Sequence, residues 1–243
     1  MSTKTILLVV ATLLQLCIGA PVRLVAFNFI RKSHHLPNHP IQRMETGEVF
    51  NTTSDGYLEI DIPVGQNVTF TSLDYNGFHA TQTATVQVPD EGLNTLSTMM
   101  VLQVPSNWIY DLLEWLVPGK KKTTGFCQFV VTATDVDVTW ADFPQGLEGT
   151  VATLDPPLST NSYYFGTFGW FSNKTNPLPN DLTSCSWDGG VLFENVPIRD
   201  EPYVVTAERE GYTFSETIMY CHNEGLVNAA PNQGPKASLN NPY

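Results

Sequence analysis

The stretch Ser54-Asp55-Gly56-Tyr57-Leu58-Glu59-Ile60-Asp61-Ile62-Pro63, followed by Val68-Thr69-Phe70 and Gly77-Phe78, decides the fold because it returns later in the chain. The second copy reads Trp187-Asp188-Gly189-Gly190-Val191-Leu192-Phe193-Glu194-Asn195-Val196-Pro197, then Tyr203-Val204-Val205 and Gly211-Tyr212. Gly189 follows Gly56 by 133 positions, whereas Pro197 follows Pro63 and Gly211 follows Gly77 by 134, so one inserted residue, Gly190 or a neighbour, reconciles the copies. A pattern that recurs in this way predicts two similar units. Each copy runs as a turn, a strand, a proline-broken corner, a second strand and a glycine-aromatic turn, which is the order of a small antiparallel sandwich. The Asp-Gly pair supplies the positive φ of a tight turn, and proline ends the strand by removing a ladder donor. Leu58, Ile60 and Ile62, with Val191, Phe193 and Val196 as counterparts, are the expected core positions.

Outward from the first copy, residues 22–29, 67–73, 81–88 and 99–104 are short runs rich in β-branched and apolar types, with turn residues between them. In the second half, residues 127–134, 147–154 and 217–221 read the same way. The expected fold class is therefore all-β, two antiparallel β-sandwich domains in tandem. One helix interrupts them at 106–116: Ser106 is a good N-cap, and Trp108, Ile109, Leu112, Leu113 and Leu116, widened by Trp115, form an apolar stripe. That stripe is expected to pack over the open end of a sandwich or between the domains. Residues 119–125, Gly119-Lys120-Lys121-Lys122-Thr123-Thr124-Gly125, read as a linker. The domains are thus 21–118 and 126–222, and 223–243, rich in Asn, Gly and Pro, reads as an extended tail.

Residues 1–20 read as a secretory leader: Lys4 precedes the apolar run 6–14, and small residues end the stretch, with cleavage expected near Gly19 or Ala20. Three Asn-x-Thr sequons, at Asn51, Asn67 and Asn173, suit an exported glycoprotein. No other apolar run approaches the length of a membrane span, so membrane insertion is not expected. The chain of 243 residues carries 24 acidic against 12 basic side chains, and the acidic excess is present in both halves. Phosphate backbones and anionic lipid surfaces are disfavoured partners for such a surface.

An exported chain that loses Cys17 with its leader keeps Cys127, Cys185 and Cys221, an odd number in an oxidising compartment. A Cys127 to Cys221 bridge staples the first and last strands of the second domain and leaves Cys185 as a free or intermolecular thiol. A bridge from Cys185 to Cys221 stays open, because spacing alone does not fix connectivity.

The second copy resembles a known family. Gly149-Thr150-Val151, the run from Asp188 to Pro197 and Tyr203-Val204-Val205-Thr206-Ala207-Glu208-Arg209-Glu210-Gly211-Tyr212 are similar to a carboxypeptidase-regulatory-like domain. The resemblance covers about 75 residues here and, more weakly, about 60 in the first half; it implies a transthyretin-like, or prealbumin-like, seven-stranded sandwich found as a non-catalytic module on secreted and surface proteins. The segment Ile198-Arg199-Asp200-Glu201-Pro202 departs from the family, which has a glycine turn there, while Val64-Gly65-Gln66 in the first copy keeps the glycine.

Groups able to do chemistry are few. His34, His35 and His39 lie close enough in sequence to gather a metal from a loop, although Pro37 breaks any helix between them. Asp135 and Asp137, with Asp142, are a candidate calcium set. The aromatic run 162–171 places Tyr164 and Trp170 on one strand face, where flat rings suit sugars or a protein surface. No nucleophile elbow, zinc-protease helix or phosphate loop occurs. The expectation is a non-catalytic extracellular module that needs no cofactor and has a protein or glycan as partner.

Overall fold

A computed structural model of the chain describes residues 19–116, 124–158, 162–165, 182–186, 190–229 and 231–240. In the first half, β1 (Gly19–Asn28) is the organising strand. It runs antiparallel to β4 (Tyr57–Pro63) and parallel to β9 (Met100–Val104). Alternate side chains of β1, Val22, Leu24 and Ala26, point to one side and meet Leu58, Ile62, Met100 and Leu102 in a buried cluster, as the two-residue period of a strand requires. The cluster is closed by Ile41 of β2 (Pro40–Arg43) and Phe70 of β6 (Phe70–Ser72). These strands belong to the row β3 (Val49–Asn51), β2, β6, β7 (Thr81–Thr83), antiparallel throughout. β5 (Asn67–Val68) and β8 (Val86–Gln87) form a short separate ladder.

After the helix α1 (Asn107–Leu116), the second half repeats this order. β10 (Phe126–Val131) runs antiparallel to β14 (Val191–Pro197) and parallel to β18 (Gly225–Ala229). The facing row is β12 (Val151–Asp155), β15 (Tyr203–Glu208) and β17 (Thr217–Met219). Thus β14-β10-β18 answers β4-β1-β9, and β12-β15-β17 answers β2-β6-β7. β13 (Ser162–Tyr164) is added at the edge of β14, while β11 (Thr134–Asp135), β19 (Lys236–Leu239) and β16 (Tyr212–Phe214) form a further small sheet. The chain is all-β but for α1 among the described residues, as its sequence predicts.

The repeated turn chemistry is present in both halves. Gly77 and Gly211 hold φ of +79° and +80°, and Gly56, at +82°, packs so tightly that a Cβ there would lie 2.6 Å from the His35 Cβ. The inserted residue is not Gly190. β1 and β4 pair without interruption, whereas β10 and β14 shift register between Cys127, opposite Val196, and Phe129, opposite Phe193. Glu194 and Asn195 therefore oppose Gln128 as a β-bulge, with Asn195 in the left-handed region at φ 50°. The bulge keeps Val191, Phe193 and Val196 all buried, although the last two are three residues apart. Gly190 serves close approach instead, since a Cβ would lie 2.3 Å from the Val131 carbonyl oxygen.

The segment read as a tail is structural. β18 completes the second half as β9 completes the first, and it also pairs in parallel with β7, Leu226 opposite Thr81 and Asn228 opposite Thr83. One eight-stranded sheet, β13-β14-β10-β18-β7-β6-β2-β3, therefore runs through both halves. β19 then continues the segment alongside β11 and β16.

Each half also covers an outer face of the other. Tyr110 of α1 packs on Val130, Leu192 and Leu226 and stacks on His79 at 3.7 Å. In return Trp140 lies on Phe27, ring centroids 5.0 Å apart, beside Val25, Met99 and Val101. The helix so takes the place between the halves that its apolar stripe implies, but among its described side chains Ile109 and Tyr110 are the buried ones, while Trp108 is 65% exposed. The side chains of Leu113, Trp115 and Leu116 lie outside the described part. Of the expected leader only Gly19 and Ala20 are described, and they already pair with Pro63 and Ile62 in β1.

Candidate functional site

The three histidines are not brought together. His39 is 2% exposed, its backbone tied to Thr52 in both directions, and its ring edges against Tyr75 and Phe78 at 5.7 and 6.1 Å. Burial pushes its pKa down to about 4. His34 also meets the Phe78 ring, edge-on with centroids 6.3 Å apart. His35 faces Tyr57 and Trp140, with its Nδ1 2.8 Å from the Asp55 carbonyl oxygen. The loop takes these directions because its rings fill apolar gaps around the turn at Phe78 and the docked Trp140. Among the described residues no three metal-binding side chains converge anywhere.

The acidic set, Asp135, Asp137 and Asp142, has a lysine nearby. Lys236 donates to the Val138 carbonyl and lies within the field of Asp135, Asp142 and Asp137, which oppose the burial that lowers its pKa to about 8. Asp142 is engaged besides: Thr139 donates to its Oδ2 through both backbone N–H, at 2.8 Å, and hydroxyl, at 2.7 Å, and these bonds lower its pKa.

Tyr164 is not an exposed ring. It is 3% exposed, inside the second core, and its hydroxyl lies 3.2 Å from the Ala152 backbone nitrogen at the edge of β12. Strand alternation shows which residues share a face, but not which face is covered. Trp170 and Asn173 lie outside the described residues. Asn51 and Asn67, the other two sequon asparagines, are both exposed, on β3 and β5.

Cys127 and Cys221 are joined in a disulfide, with Cα atoms 5.8 Å apart. Cys185 is the free cysteine among the described residues, buried at 2% exposure, and burial pushes its thiol pKa up to about 12. Such a thiol is not a nucleophile near neutral pH.

Besides a cleft of 390 Å³ along Arg23, Glu59 and Asp61, two surface clefts remain among the described residues. One, of 690 Å³ and wide open, is lined by Val151, Arg209, Tyr212 and Phe214, with the Arg209 guanidinium 4.8 Å over the Tyr212 ring. The other, of 220 Å³, crosses the joint between the halves beside Gln82 and Leu226. The departure at residues 198–202 has a structural use: Arg199 bonds to the carbonyls of Glu201 and Pro202 and lies 4.6 Å over the Tyr203 ring, which fixes the longer turn.

The residues that join the halves, Tyr110, Trp140 and Gln233, escaped the sequence reading. Gln233 accepts from Val101 N–H at 3.2 Å and donates to the Met99 carbonyl at 2.9 Å, so its amide stands in for a peptide group along β9.

No protein-family model and no curated protein sequence matches the chain. Among solved structures it is similar to the Bacillus anthracis TIE protein, at 13% identity and a TM-score of 0.27 over 87% of this chain and 33% of that one. A streptococcal ancillary pilin is similar at 12% identity and a TM-score of 0.28, over 88% of this chain and 63% of that one. The shaft pilin SpaA from Lactobacillus rhamnosus GG, as an E269A/D295N double mutant, gives 12% and 0.26, over 87% of this chain and 98% of that one. The chain thus spans about a third of the first of these proteins and under two thirds of the second.

Proposed function

We propose that this chain is a non-catalytic extracellular module whose role is structural or adhesive, exercised through protein partners. The observation that carries the reading is what the two halves share: positive-φ glycines, strand-ending prolines and core apolar side chains, each with a packing or backbone role. Of the groups that suggested chemistry, the histidines pack against aromatic rings, and in the acidic loop Asp142 accepts from Thr139 while Lys236 donates to the Val138 carbonyl. A disulfide and exposed sequon asparagines favour an oxidising compartment outside the cell. The resemblance to carboxypeptidase-regulatory-like modules fits the same reading, with 21–118 and 126–222 as its two units and β18 added to the second. Burial of Tyr164 removes support for a sugar-binding face.

The test is export from a eukaryotic host followed by enzymatic deglycosylation and peptidase, esterase and glycosidase assays. The reading expects a drop in apparent mass and no turnover. Hydrolysis abolished by one polar substitution with the fold preserved contradicts it.

A further inference from the structure

The repeat fills one position in the second half that no described strand fills in the first. β13 lies along the side of β14 that faces away from β10, antiparallel, with Tyr164 opposite Val191 and Ser162 opposite Phe193. β4 is the counterpart of β14, yet no described strand pairs with the side of β4 that faces away from β1.

The peptide groups on that side belong to Glu59 and Asp61. Their ladder partners, Arg23 and Pro21, turn away from β4: Arg23 N–H donates to the Leu93 carbonyl at 2.9 Å, and Leu93 N–H donates to the Pro21 carbonyl at 2.8 Å. Facing residues of an antiparallel pair direct their peptide groups either toward each other or both away. Glu59 and Asp61 therefore each present one N–H and one C=O to the open edge. Both side chains are exposed carboxylates, and Arg23 pairs with Glu59 at 3.1 Å.

We propose that the open edge of β4 is a strand-addition site for an extended, lysine- or arginine-bearing segment of a partner protein. Two outward N–H and two outward C=O groups supply main-chain pairing, and β13 on the equivalent strand shows that this edge accepts an antiparallel neighbour. The carboxylates of Glu59 and Asp61 select its charge. A second β4 would set acid against acid across the new ladder, which disfavours self-pairing and favours a basic strand. The inference rests on the reading of the chain as an extracellular module with protein partners and names the class of segment it takes.

The experiment uses the exported full chain and three ten-residue probes: alternating lysine and valine, alternating glutamate and valine, and alternating lysine and proline. Binding is followed by fluorescence anisotropy and by amide hydrogen exchange at Glu59 and Asp61. The lysine-valine peptide binds and slows both amides, while the other two do not. Glu59→Pro removes an outward donor and leaves the β1 ladder intact, because the lost N–H points away from β1; it weakens binding at least tenfold. Asp61→Lys weakens the lysine-valine peptide and gains the glutamate-valine one. Binding unchanged in Glu59→Pro, or no slowing at these two amides, overturns the site. A concentration-dependent dimer that Glu59→Pro dissolves also overturns it, by making a second copy the occupant. A failed edge with blank enzyme assays leaves the module reading standing, whereas substrate turnover removes that reading whatever the peptides do.

Discussion

Leu226 of β18 lies opposite Thr81 of β7, and this pairing carries one sheet from the second half of the chain into the first. Further bonds reinforce the joint: Gln82 Nε2 donates to the Tyr220 carbonyl at 2.9 Å, Thr85 backbone N–H donates to the Ile218 carbonyl at 2.9 Å, and Asn228 Nδ2 lies 3.3 Å from Gln103 Oε1.

Gln233→Ala leaves Val101 N–H without its amide partner at a buried site, while the Met99 carbonyl keeps Asn232 Nδ2 at 3.0 Å. One unsatisfied buried polar group costs roughly 1–3 kcal/mol, so a loss of about that size is expected. Gln87→Ala, which removes an exposed bond to the Gly65 carbonyl, is the control and should change stability by less than about 0.5 kcal/mol. Urea unfolding of the two variants makes the comparison.

His39 makes stability depend on acid. Its folded pKa, about 4, lies below the ordinary value of 6.5, so the unfolded chain takes up the proton first. The neutral ring's contribution is fully present above pH 6.5 and is lost as pH falls from 6.5 toward 4. A shift of this size is on the order of 3 kcal/mol. His39→Phe should flatten the dependence in that window beyond the background of the carboxylates, which both proteins share. Unfolding at pH 7, 5 and 4 measures it, and an unchanged slope contradicts a buried neutral His39.

The cysteines give a chemical count. Native protein should leave Cys185 unreacted toward a thiol reagent at neutral pH, and unfolding without reductant should release one reactive thiol from the described cysteines. Removing the Cys127–Cys221 bridge frees a loop of 94 residues and should cost on the order of 4 kcal/mol.

Much of the fold was legible because turn glycines and alternating apolar residues carry local signals. Gly56, Pro63 and their counterparts announced the repeat, whereas the choice of Cys127 over Cys185 as the partner of Cys221 came only with the structure, because spacing leaves both pairings open. The bulge was hidden by the adjacent Gly189-Gly190 pair, which imitates an insertion in a turn. The spacing of Val191, Phe193 and Val196 was its true signal, since a plain strand repeats every two residues. β18 was missed because Asn228 interrupts a short run in polar surroundings, yet Leu226 to Pro231 parallels Met100 to Pro105. Burial of Tyr164 and docking of Trp140 on Phe27 depend on which elements meet in space, and no local pattern encodes that. The same holds for Lys236, which reaches the acidic loop from about a hundred positions further along the chain.

The central claim is that the halves form one unit through the shared sheet. A specific protease site placed between Lys120 and Lys122, then cut, tests it by size-exclusion chromatography and calorimetry under native conditions. The account predicts that both fragments elute together at the mass of the intact chain and melt in one transition. Fragments that separate without denaturant and melt independently would contradict it.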